Sequence, residues 1–329
     1  MIWFKNIVLG ATLLALCVVV FGAYVRLMDA GLGCPDWPGC YGTLTVPESE
    51  SAIEKAQSSY PNSIIDKSKA WIEMAHRYIA SILGLMILSL TVLAYKNRNE
   101  LKMNPLLVYG LLGLVIAQGL LGMWTVTELL MPIIVSLHLL GGMMTLGLLV
   151  YITHRHWGSV SDILISLNPP LEKLIRFSLV ILFIQIFLGG WTSTNYAALA
   201  CTDFPTCHGE FIPPMDFGNG FSLWRELGLT AQGDALTLQA LQAIQWVHRI
   251  GAFIFVSYFL YMIYFMSKFR SCNLYRNLLA IVVIFQFIIG VLNLLLHLPL
   301  ALATMHNLGA ALLVIITVII NSRITPKYG

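Results

Sequence analysis

The sequence predicts an all-α integral membrane protein of eight transmembrane helices. They form two tandem four-helix bundles related by a pseudo-twofold axis along the membrane normal. Three observations point there. Of 329 residues, 58% are hydrophobic and 11% charged, against roughly 25% charged in a soluble domain. Eight apolar runs each approach the ~20 residues that a bilayer core requires. Residues of the first half recur in the second at a nearly constant offset, the mark of a duplicated unit. The net charge of +3 gives no support for a nucleic-acid partner.

The runs fall at about 5–27, 71–95, 105–126, 131–152, 172–196, 238–267, 274–296 and 298–320. The first reads as a span rather than a cleaved signal peptide, being long and without a small-x-small site before the polar loop. Short joints around Glu128 and His297 separate spans three and four, and seven and eight. Basic residues gather on one side: Lys5, Lys96, Arg98, Lys102, Arg155, Lys173, Arg176, Lys268, Arg270, Arg276, Arg323 and Lys327. Most acids gather on the other. By the positive-inside rule both termini are cytoplasmic, and the loops at about 28–70 and 197–237 face outward.

Those two loops carry "GLGCPDWPGCYG" and "ALACTDFPTCHG". Cys34 and Cys40 recur as Cys201 and Cys207 at an offset of 167, with Asp36 and Asp203, Pro38 and Pro205, Gly42 and Gly209. Trp37 and Phe204 stand between the Asp and the Pro. Further on, Gln118, Gly122, His138 and Gly141 recur as Gln286, Gly290, His306 and Gly309 at 168, and His76-Arg77 as His248-Arg249 at 172. The halves are therefore 1–160 and 161–329, and an even number of spans inserts both the same way up. The cysteine pairs lie in the oxidising compartment, where disulfides persist. Cys17 and Cys272 read as packing residues. The first loop continues as polar "PESESAIEKAQSSYPNS", read as a lid or linker without a site. His154, His156, His208 and His297 lie at loops or span ends and are unassigned.

Ionisable residues inside a membrane are costly and tend to mark function. His76, His138, His248 and His306 lie on spans two, four, six and eight, within about two turns of the outer surface. Two imidazoles facing each other across a bundle suit the axial positions of a haem iron, and are too few for zinc. Small residues follow each histidine at position four (Ala80, Gly142, Ala252, Ala310) and, for three of them, at position three (Gly141, Gly251, Gly309). They read as a flat wall for a macrocycle, or as close helix packing. Two bis-histidine haem sites follow, one per half, with Arg77 and Arg249 as partners for propionates or as snorkelling cations.

The halves differ three residues before the histidine: Glu73 in "EMAHR", Gln245 in "QWVHR". A carboxylate beside a haem edge serves as general base or stabilises positive charge; it is also a favoured helix-start residue. If one half performs chemistry, Glu73 nominates the first, and the second holds a permanent haem.

With eight spans, a duplicated unit, the histidines in "EMAHR", "SLHLLGG", "WVHRIGA" and "MHNLGAA", and the pairs in "CPDWPGC" and "CTDFPTC", the whole chain resembles the haem A synthase family, in its cysteine-containing bacterial branch. The resemblance implies oxidation of the C8 methyl of haem O to a formyl group through hydroxylated intermediates, for terminal oxidase assembly. It implies a cytoplasmic-membrane enzyme, with haem O between His76 and His138 beside Glu73, and haem b iron between His248 and His306. Each cysteine pair is expected as a disulfide pinning its loop. Cys34 and Cys40 are open to a second role, thiol exchange with an outside partner, which the resemblance favours. The haem O-producing farnesyltransferase, an electron or thiol partner and a homo-oligomer are further expected associations. The rivals are a di-haem b electron-transfer cytochrome, a membrane thiol–disulfide oxidoreductase and, less well matched, a transporter.

Overall fold

Lipid offers the backbone no hydrogen-bonding partner, so each spanning segment closes its own bonds as a helix. The computed structural model describes residues 2–101, 103–157, 169–269 and 272–323. Among them run ten α-helices: α1 (Ile2–Leu27), α2 (Glu50–Ser59), α3 (Lys67–Lys96), α4 (Leu106–Thr127), α5 (Pro132–Trp157), α6 (Pro169–Thr194), α7 (Phe217–Gly220), α8 (Leu238–Met266), α9 (Asn273–Leu295) and α10 (Leu300–Ser322). All but α2 and α7 are long and apolar enough to cross a membrane, which makes eight spans. Lys102, Arg270, Lys327 and the boundary between residues 160 and 161 lie outside the described residues.

Most span ends fall within three residues of the apolar runs, and the larger extensions have local causes. The Asp66 carboxylate accepts the Lys69 N–H at 3.1 Å and starts α3 at Lys67, ahead of its apolar stretch. Thr237 caps α8 in the same way, through the Ala240 N–H. α5 extends to Trp157, whose indole N–H donates to the Lys5 carbonyl at 2.9 Å. The short joints turn through paired left-handed residues: Leu129 and Leu130 (φ 48° and 60°), then His297 and Leu298 (φ 59° and 60°). Each turn closes on the preceding span, Leu130 N–H to the Thr125 carbonyl at 2.9 Å and Leu298 N–H to that of Asn293 at 2.7 Å.

α1 packs on α3 and α5, α3 on α4, and α4 on α5; likewise α6 packs on α8 and α10, and α9 on α8 and α10. α1, α5, α6 and α10 meet along a common seam. α1 buries Phe4, Val8, Ala11 and Ala15, one stripe at helical spacing. Gly147 of α5 lies close to Val314 and Val318 of α10, where a Cβ would sit 3.5 Å from each. Ile116, Leu85, Ile184 and Ile281 are exposed on the outside, as lipid-facing side chains must be.

Because lipid is as apolar as leucine, polar pairs supply specificity along such a seam. Thr12 and Thr153 hydroxyls meet at 2.7 Å, Ser322 meets His154 Nδ1 at 2.8 Å, and Asn321 donates to the Ile175 carbonyl at 3.0 Å. At the other end Arg26 donates to the Ser193 carbonyl at 2.7 Å and lies over the Tyr196 ring, whose hydroxyl donates to Asp29 at 2.6 Å.

Candidate functional site

Both cysteine pairs are disulfides, Cys34–Cys40 and Cys201–Cys207. The shared motif explains the fold of each loop. Asp36 accepts the Tyr41 and Gly42 N–H groups at 2.6 and 2.8 Å; Asp203 accepts those of His208 and Gly209 at 2.6 and 2.9 Å. Gly42 and Gly209 take φ of +75° and +82°, open to glycine without steric cost. Trp37–Pro38 and Phe204–Pro205 are both cis. The Thr206 hydroxyl, followed by the Gly209 N–H, holds the Asp203 carboxyl well below the usual carboxylate range.

Each loop is lashed to the span that carries the first histidine of its half. Glu73 accepts the Cys34 N–H at 2.9 Å and pairs with Arg77, which donates to the carbonyls of Asp36, Pro38 and Gly39. In the second half Gln245 accepts the Cys201 N–H at 2.6 Å and donates to the Ala198 carbonyl; Arg249 donates to Thr206 and Cys201 carbonyls at 2.6 and 3.0 Å. Positions three before and one after the histidine are thus loop tethers in both halves. Gly33 lets the first loop pass close, since a Cβ there would lie 2.6 Å from the Lys69 carbonyl carbon.

The polar segment of the first loop, a lid or linker by its sequence, contains the helix α2. Ser49 caps α2, accepting the Ala52 N–H at 3.2 Å, and Ala56 joins Cys34, Cys40, Tyr41, Val46, Ala70 and Met74 in a small core. Cys34, Cys40 and Cys201 are fully buried and Cys207 is 2% exposed. Over the second half, Trp191 donates to the Gly220 carbonyl at 3.0 Å, and buried Arg225 binds Asn195 and the Leu229 carbonyl.

Beneath the loops sit the four histidines, each with its ring edge against a glycine of the preceding span. A Cβ would approach the imidazole Cε1 to 2.9 Å at Gly22 (His76), 3.3 Å at Gly122 (His138), 3.1 Å at Gly189 (His248) and 3.1 Å at Gly290 (His306). α3 and α5 both pack on α1, which brings His76 and His138 into one bundle, and α8 and α10 both pack on α6, which does the same for His248 and His306. Among the described residues, Nδ1 of His76, His138 and His306 is buried without a hydrogen-bond partner; Nδ1 of His248 lies 3.1 Å from the Gln185 amide nitrogen. Among the described residues no three His, Cys, Asp or Glu side chains gather as a metal site. Paired imidazoles laid against helix backbone fit an iron taking two axial nitrogens, and do not fit a four-ligand ion.

Gly141, Gly251 and Gly309 are not bare wall. Gln118, Gln185 and Gln286 fill the space above them, for a Cβ would lie 1.8, 2.4 and 2.1 Å from their amide atoms. Gln185, Gly22 and Gly189 were beyond the motifs read from the sequence, although Gly22 and Gly189 share the loop offset of 167.

A family model described as cytochrome oxidase assembly protein, COX15-CtaA, matches residues 5–318. The chain is 42% identical to a haem A synthase of Shewanella oneidensis, across 97% of this chain and 95% of that protein. It is 27% identical to haem A synthases of Neorickettsia sennetsu (92% of this chain, 93% of that one) and Mesorhizobium japonicum (92% and 85%).

Proposed function

Because the chain belongs to the COX15-CtaA family of cytochrome oxidase assembly proteins, we propose that it is an oxidoreductase acting on haem O, a multi-pass membrane enzyme that makes haem A. The C8 methyl becomes a formyl group through hydroxylated intermediates; on balance R–CH3 and one H2O give R–CHO, four protons and four electrons, the electrons leaving to an external acceptor. The observation that carries the division of labour is one charge: Glu73 in the first half where the second has Gln245, both accepting the N–H of a loop cysteine.

His76 and His138 hold haem O in unit 1–160, and His248 and His306 hold haem b in unit 161–329, the two units being related by a pseudo-twofold axis along the membrane normal. The haem b iron supplies one-electron transfer. Glu73 is the proton acceptor, its carboxylate held by Arg77 and the Cys34 N–H; an amide at 245 cannot take up a proton at neutral pH. Cys34 and Cys40 serve the site by closing the loop that supplies that N–H, and exchange with a thiol partner requires the loop to lift, since both are fully buried. Arg77 and Arg249 each keep part of their five-donor guanidinium for a propionate at the loop edge. Both termini face the cytoplasm of a bacterial cell. A shared greasy substrate favours docking to the haem O-producing farnesyltransferase, and self-association is a further expectation. An electron-transfer cytochrome would have no use for the Glu73–Gln245 difference.

The test is expression in a host that makes haem O but no haem A, followed by haem extraction and mass analysis. Haem A or its hydroxylated precursor is expected. Haem B alone, in cells shown to contain haem O, would overturn the reading.

A further inference from the structure

Four residues before three of the glycines that face a histidine ring, and three after the corresponding histidines, the chain repeats a second device. Gln118 sits over Gly141, Gln185 over Gly251 and Gln286 over Gly309, each amide lodged in a notch that any side chain would fill. Gln185 donates to the His248 carbonyl at 3.2 Å and Gln286 to the His306 carbonyl at 2.9 Å. At His248 and His306 this amide ties the histidine's own backbone to the neighbouring span, and separating the two would strand a buried donor; at His138 the Gln118 amide fills the same notch over Gly141.

At the remaining histidine, His76, both halves of the device are missing together. Val18 occupies the glutamine position before Gly22, and Ile79 the glycine position after His76. A valine has no donor, and an isoleucine leaves no notch. The α1–α3 pair therefore holds His76 by apolar contact, including Phe21, whose ring centroid lies 6.1 Å from that of the imidazole.

We propose that the missing latch makes His76 the exchangeable axial ligand of the substrate haem, with Gln118, Gln185 and Gln286 as positioning residues that hold the other three histidines. The inference rests on the haem assignments proposed above. It matches what turnover demands. Haem b stays, and both its histidines are latched. Haem O must enter and haem A must leave, and one of its two histidines is free to let go while His138 keeps hold.

The experiment is carbon monoxide binding to the reduced full-length protein, because CO occupies an axial position only where a histidine has left. Protein loaded with haem O is expected to show a CO-binding phase absent from protein carrying haem B alone. V18Q/I79G, which installs the latch, should slow that phase roughly 10- to 100-fold, the scale of second-shell effects on metal ligation, with haem content unchanged. Q286A should make haem b reactive toward CO. Wild-type rates in haem-loaded V18Q/I79G overturn the proposal, as does CO binding by wild-type haem b. If the double variant does not fold, Q286A decides alone, and an inert haem b there also overturns it. Haem extraction from H306A reads the assignments separately: haem B retained in that variant defeats them, and with them the basis of the inference, whatever the CO rates.

Discussion

Glu73→Gln converts the first loop tether into the one that the second half already uses. The amide oxygen can still accept the Cys34 N–H, as Gln245 accepts that of Cys201 at 2.6 Å. What is lost is the ion pair with Arg77. Breaking a buried pair by removing one partner costs about 3–5 kcal/mol when the other charge is stranded. Arg77 is not stranded, because three loop carbonyls still receive its N–H groups. The expected stability loss is therefore nearer the ~1.5–3 kcal/mol of one charge-assisted hydrogen bond. Catalysis should suffer far more, since loss of a general base costs about 10²–10⁴-fold, or ~2.7–5.4 kcal/mol of barrier. The assay is haem A formation per bound haem, alongside thermal unfolding of the same preparation. A folded variant with both haems bound and turnover within threefold of wild type would refute the assignment of Glu73. Glu73→Ala separates the two functions: it also removes the Cys34 N–H acceptor, adding about 1–3 kcal/mol for a buried donor left unpaired.

Replacing either cysteine pair with serine should lower unfolding stability by roughly 2 kcal/mol, the chain-entropy value for so short a loop, read by thermal denaturation; only loss of Cys34–Cys40 should depress turnover below what that destabilisation explains. Gly290→Ala puts a Cβ within 3.1 Å of His306 Cε1, so haem B recovered per protein should fall; Gly22→Ala, at 2.9 Å from His76, should spare haem B and reduce haem O retention. Asp203 has its pKa depressed in the folded loop, so it contributes stability above the unfolded carboxylate value of about 4. That contribution is lost as the pH falls from there toward the folded value, and Asp203→Asn should remove this part of the acid dependence of unfolding.

The spans could be read from the chain because the requirement behind them is local. A run of about 20 apolar residues must satisfy its own backbone in lipid, so length and composition suffice to place a helix. Eight runs became eight spanning helices, and the histidines fell where the runs put them. The repeat was legible because duplication keeps offsets, and the left-handed residues at Asp29 and Tyr196, Tyr41 and His208, and Leu129 and His297 keep them in the backbone as well. Capping showed that Asp66 begins α3 ahead of its apolar stretch, where hydrophobicity carries no signal. α2 was missed because its ten residues are mostly polar, and a single short helix gains its stability from packing against the disulfide core.

What only the tertiary structure decided lies between residues far apart in sequence. Glu73 meets Cys34 across 39 positions, and Gln245 meets Cys201 across 44. Helical spacing places Glu73 and His76 on one face, yet cannot say that the carboxylate turns up to a loop amide. Gly141, Gly251 and Gly309 read as a flat wall for a macrocycle or as close helix packing, and the fold fills the space above them with glutamines from the preceding span. Apolar periodicity specifies which face of a helix is buried; which polar atom waits on the facing helix depends on how two helices approach, and that is a property of the packed molecule alone.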